Sequence, residues 1–184
     1  MDLHETVRIF IVIIYGFGLV TFMKPFLSIY VAKEYYVAWK YTPFLTVGCV
    51  YLTLASFMAT SYTVHKDSFG YLFSGTFGAV FNIAMNFILI PWIGVYGAAI
   101  ATCISYMLVF VFRLFHTRKY IQYNIKNKEF LIGSPVLILS AGLMFIDNLF
   151  GFALQCALLL VAIYSFSDIW VPMFKKMMKL KGRQ

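Results

Sequence analysis

The sequence predicts an all-α integral membrane protein with about six transmembrane helices, and three observations carry that expectation. The first is the run from Ser68 to Phe112, 45 positions without a charged side chain. One crossing of about 30 Å of hydrocarbon takes roughly 20 apolar residues, so the run is too long for one span and suits two. The second is composition: 62% of residues are hydrophobic and 20% aromatic, only 12% are charged, and the mean hydropathy is +0.83. A soluble domain carries about 25% charged residues. The third is where the charges sit. Ten of the fifteen Lys and Arg fall between Arg113 and Lys128 or between Lys175 and Arg183, beside apolar runs rather than within them. With 184 residues the chain has room for six spans and short loops, so 1–184 reads as a single transmembrane domain.

In chain order the spans are 9–32, 41–64, 71–92, 93–115, 130–146 and 149–172. Helices satisfy every backbone group within one crossing, which favours them over any open strand arrangement. The alternating ten-residue segments of a membrane β-barrel are absent from the sequence. Pro91-Trp92-Ile93-Gly94 forms a tight, uncharged turn, which makes the third and fourth spans an antiparallel pair. The fifth span is short, and only Asp147-Asn148 separates it from the sixth, so the alternative to two full crossings is a tight hairpin with one helix tilted or partly interfacial. Tyr35, Tyr36, Trp39 and Tyr41 cluster after the first span, where amphipathic rings favour the headgroup level. The basic, aromatic stretch from Thr117 to Lys128 and the Lys-rich C-terminal segment are expected at a membrane surface.

Basic residues also set a direction. With the C-terminus in the cytoplasm, twelve Lys and Arg face inward and only Lys33 and Lys40 face outward. The positive-inside rule then puts both termini in the cytoplasm. The formal charge of +8 is thus explained by anionic lipid, and nucleic acid is not expected as a partner. Cys49, Cys103 and Cys156 each lie in an apolar run with no metal or disulfide spacing. Asp2 and Glu5 stand where a signal peptide would be basic. No phosphate loop, nucleophile elbow or cluster of acid–base groups is present. An enzyme, a metal site and a cofactor are therefore not expected.

Polar groups at depth are few. Ser74, Gly78, Asn82 and Asn86 recur every four residues and stay near one face of the third span. Asparagine in mid-membrane is costly unless it faces protein or water. Two readings stand: interhelical bonding at about 0.6 kcal/mol per contact, or the lining of a polar pathway. The fourth span carries Gly97, Ala101 and Ser105 at the same spacing, with Ala98 and Thr102 beside them, a small-residue surface that lets another helix come close. Lys24 is the lysine inside a span, next to Pro25, which removes the usual bond to the Thr21 carbonyl. It either meets an anion at that kink or extends its ammonium to the headgroups.

The segment Asn82-Ile-Ala-Met-Asn86-Phe-Ile-Leu89-Ile90-Pro91-Trp-Ile-Gly94-Val-Tyr-Gly97-Ala98-Ala99-Ile100-Ala101-Thr102-Cys-Ile-Ser105-Tyr106 resembles polysaccharide exporters, including the O-antigen flippases, of the multidrug/oligosaccharidyl-lipid/polysaccharide flippase superfamily. Paired asparagines, Ile-Pro and a Gly-Ala-Ala-Ile-Ala-Thr helix carry the resemblance. A weaker match runs from Ala32 to Ala38, followed by Pro43, although the family often has glycine where Ala32 stands. The resemblance covers about residues 10 to 120 and implies the C-terminal lobe of a two-lobed, MATE-like flippase fold, with the N-terminal lobe missing from this chain. It implies translocation of undecaprenyl-diphosphate-linked oligosaccharide across a bacterial plasma membrane. The partners would be the lipid bilayer, the lipid-linked oligosaccharide, and an N-terminal lobe or other glycan-assembly proteins. The substrate pathway would involve Lys24, Ser74, Asn82 and Asn86; Gly78, Gly97, Ala101, Thr102 and Ser105 would pack the helices. The alternatives are a non-transporting component of a glycan-assembly complex and a small-molecule or drug exporter of the same superfamily.

Overall fold

The computed structural model describes residues 3–121, 128–146 and 148–165, with side chains from Ile11 onward in the first segment and from Phe130 in the second. Among these the chain is helical throughout: α1 (Leu3–Tyr30), α2 (Thr42–Val64), α3 (Ser68–Ile93), α4 (Val95–His116), α5 (Lys128–Leu143) and α6 (Leu149–Ser165), with 3-10 helices at Lys33–Lys40 and Thr117–Lys119. Four segments are long and apolar enough to cross a membrane: Ile11–Tyr30, Thr42–Val64, Ser68–Ile93 and Val95–Lys119. Among the described residues, four helices are of spanning length and two apolar helices are shorter. The 16 and 17 described residues of α5 and α6 cover about 24–26 Å at 1.5 Å per residue. Asp147, Asp168, the end of the expected sixth span and the Lys-rich C-terminal segment lie outside the described residues, as does most of the basic stretch after Tyr120.

The chain forms two compact units, Met1–Thr21 with Ile125–Gln184, and Phe22–Asn124. In the first unit Ile13, Phe17 and Val20 form the buried face of α1, and Leu137, Ala141 and Ala162 are buried on α5 and α6. Gln155 of α6 is buried too, and its Nε2 donates to the Ser140 carbonyl at 3.3 Å. That is a polar tie between the hairpin helices with no marker in the sequence pattern.

The second unit is built on α4. It packs along both α2 and α3, which touch each other little. Its buried positions Gly97, Ala101, Ser105, Val109, Arg113 and Thr117 recur every fourth residue. Gly48 of α2 fits against this helix because a β-carbon there would lie 3.0 Å from the Cys103 α-carbon. The turn between α3 and α4 is narrower than the four residues expected. Pro91 stays inside the last turn of α3, and Gly94 alone makes the reversal, at φ +58° and ψ −134°. A side chain is strained there.

The aromatic segment after α1 is not a plain loop. Lys33–Lys40 winds as a 3-10 helix with Trp39 buried, and the Lys24 ammonium lies 3.9 Å from the Trp39 ring centroid. At the same end Tyr96 of α4 meets Tyr41 edge-on, with 4.8 Å between centroids.

Candidate functional site

The polar residues of the second unit fall in three places. At the level of mid α3, the Asn86 amide donates to Asn82 Oδ1 at 2.9 Å, the Asn82 amide reaches Thr102 Oγ1 at 3.4 Å, and the Thr102 hydroxyl donates to the Ala98 carbonyl at 2.9 Å. Every-fourth spacing on α3 and the small residues of α4 bring this row together. The Asn86 Oδ1 atom is buried without a partner. Thr102, expected to serve packing, is thus a hydrogen-bonding member of the row.

Toward the α2–α3 turn, Ser74 is fully buried and accepts from Arg113 Nε at 3.0 Å. The Arg113 Nη1 group donates to the Ala55 carbonyl at 3.1 Å, so one guanidinium ties α4 to both neighbours. Arg113 is itself buried, with 7% exposure, and the Tyr71 ring lies 5.5 Å from its central carbon. Counting charges by flank treats Arg113 as a surface anchor. The signal that finds it is the α4 stripe: four residues beyond Val109 the same face carries Arg113.

Beyond the helix ends, Asp67 caps α3. Its carboxylate accepts from the Gly70 backbone N–H at 2.8 Å, the Tyr120 hydroxyl at 2.7 Å and the Lys119 ammonium at 3.2 Å. The Gly70 and Tyr120 bonds hold the carboxyl down at about 2. His65 stacks on Tyr120 at 4.4 Å, and Tyr62 meets His116 Nδ1 at 2.9 Å. This clasp closes the turn between α2 and α3 onto the end of α4.

A cavity of about 320 Å³ joins two of these places. Asn82 and Thr102 line one part of it and Arg113 another, with Gly75, Gly78 and Ala79 of α3 between them. Of the residues expected to form a pathway, Asn82 lines this cavity, Asn86 bonds to Asn82, and Ser74 holds the cavity's arginine. Lys24 is not among its lining residues and instead lies against Trp39. Gly78 faces Val109, Gly97 sits against the Leu89 carbonyl, and Ala101 and Ser105 are buried on the α4 stripe, the last donating to the Ala101 carbonyl at 2.7 Å. Among the described residues no group of three or more His, Cys, Asp or Glu is placed to hold a metal ion.

An uncharacterized membrane protein of Methanocaldococcus jannaschii is 36% identical over 73 residues, which are 39% of this chain and 14% of that relative. The chain is a multi-pass helical membrane protein. The match spans about one seventh of the relative's length, and that relative's name describes a membrane protein without an activity. No protein-family model matches the chain, and no solved structure matches it.

Proposed function

We propose that this chain is the C-terminal lobe of a flippase that carries undecaprenyl-diphosphate-linked oligosaccharide across a bacterial plasma membrane, with both termini in the cytoplasm. The observation that carries the reading is the polar row of Asn82, Asn86 and Thr102 beside a cavity in a largely apolar helix bundle. Polar groups at that depth are expensive and mark substrate paths when they border a cavity. The resemblance at Asn82–Thr102 supplies the substrate class. Sugar hydroxyls both donate and accept hydrogen bonds, which the amides of Asn82 and Asn86 can match. The chain acts as a carrier component and not as an enzyme, and uses no cofactor. Lys24, held against Trp39, acts as a brace at its end of α1 instead of the contact for the diphosphate.

The test is complementation of a flippase-deficient strain by this chain, alone and together with an N-terminal lobe. Restored surface polysaccharide in either arrangement, lost again in Asn82→Leu with membrane levels unchanged, is the expected result. Failure of both arrangements, with the protein correctly inserted, would remove the transport reading. Lys24→Ala should then retain export in the rescued strain.

A further inference from the structure

Arg113 is the one Lys, Arg, Asp or Glu in α4, and it is buried. Its two hydrogen-bond acceptors, Ser74 Oγ and the Ala55 carbonyl, are both neutral. Among the described residues it has no carboxylate partner; Asp67 of the neighbouring turn pairs with Lys119. A guanidinium has five N–H donors and keeps its charge in any protein environment. Nε and one proton of Nη1 are used, so Nη2 and the second Nη1 proton remain, and Arg113 forms part of the cavity wall. An uncompensated cation beside a cavity calls for an anion.

Depth and shape narrow the choice. Arg113 lies eighteen positions after Val95, the first residue of α4, or about 27 Å along a helix rising 1.5 Å per residue. In a core of about 30 Å that is within about 3 Å of the headgroup boundary, close enough for a long arginine side chain to meet a phosphate. From Arg113 back to Thr102 the cavity runs along α4 for about 16 Å by the same rise. Leu52, Tyr106 and Val109 give the path apolar walls, Val109 closes over Gly78, and Gly75 and Ala79 leave room beside them. We propose that this groove binds a phosphate-bearing amphiphile, its phosphate paired with the free face of Arg113 and one chain lying along Gly75 and Ala79. Guanidinium and phosphate match in charge and in paired hydrogen-bond geometry. The proposal needs only that the chain sits in a bilayer, so it can fail while the transport reading stands, and the reverse.

The experiment is native mass spectrometry of the purified full chain in detergent micelles with added phosphatidic acid, then with inorganic pyrophosphate as competitor. The expected result is one phosphatidic acid retained per chain, with retention reduced at least about tenfold, the scale of one charged hydrogen bond, in Arg113→Gln. Gly75→Leu should reduce it likewise. That variant guards against a folding defect, because a β-carbon at Gly75 meets nothing within 4 Å and the leucine extends into the groove. Arg118→Gln, at an exposed arginine lying over Phe115, should retain the lipid. Displacement by pyrophosphate would assign the same site to a phosphate reaching it from solution; resistance would assign it to the lipid. Equal retention in the unaltered chain, Arg113→Gln and Gly75→Leu would overturn the proposal.

Discussion

Asn82 stands between two partners, taking a bond from Asn86 and reaching toward Thr102. Interhelical bonds of this kind contribute about 0.6 kcal/mol and at most about 1.7. A double-mutant cycle of Asn82→Ala and Thr102→Ala, read by reversible unfolding in micelles, should give a coupling of that size. A coupling near zero would mean that the α3–α4 bond contributes nothing. Asp67 makes a pH-dependent contribution whose sign follows from its bonds. The folded carboxyl sits at about 2, below the unfolded value of about 3.9. The unfolded state therefore takes up the proton first, and the clasp is fully formed above about pH 4 and fades as pH falls toward 2. Hydrogen exchange at the first turn of α3 should quicken across that window in the unaltered chain and show no such step in Asp67→Asn. The two residues were not equally legible. Asn82 announces itself as an amide in an apolar run, whereas Asp67 looks like an ordinary loop acid until Tyr120, 53 positions away, closes on it. Arg113 falls between these cases: its spacing was visible, but its charge suggested a flank.

At the scale of elements, α3 and α4 were read to within three residues because an uncharged run, a proline and a glycine fix their ends. What the sequence could not convey was how much of Pro91 the helix would absorb. Near a helix end a proline forfeits one backbone bond at most, so α3 continues to Ile93 and leaves the turn to Gly94. The expected consequence is that Gly94→Ala costs about 1–3 kcal/mol, the usual range for a side chain forced into that region of backbone space. Gly48→Ile should also destabilise, by about 1–3 kcal/mol, because its side chain would push against the backbone of α4 at Cys103. Thermal unfolding of the two variants checks both, with Gly75→Ala as the neutral companion. The 3-10 helix at Lys33–Lys40 was not legible as a helix. Eight residues with three aromatics and three charges show interfacial chemistry but no helical period, and its order comes from tertiary contacts such as Trp39 with Lys24.

At the scale of the whole molecule, the environment decides what exposure means. In water the surface of α3 would be an aggregation hazard: Leu72, Phe77, Val80, Ile83 and Phe87 all lie open. In a bilayer the same face meets lipid tails, which are as apolar as leucine, so trimming it removes little. Ile83 makes the contrast measurable, because it is 56% exposed and one residue along from the polar row. Ile83→Ala should leave both membrane insertion and unfolding unchanged within about 0.5 kcal/mol, as for other exposed positions. Ile83→Arg adds a charge near the centre of a span, at about 2.5–3.5 kcal/mol on the insertion scale. It should sharply lower the fraction of chains that resist alkaline carbonate extraction. Arg113 lessens this cost, without cancelling its charge, by lying near the helix end with Ser74, the Ala55 carbonyl and the Tyr71 ring around it. If Ile83→Arg were tolerated and Ile83→Ala were damaging, the open face of α3 would be facing protein rather than lipid, and the bundle would be one part of a larger assembly closed over that helix.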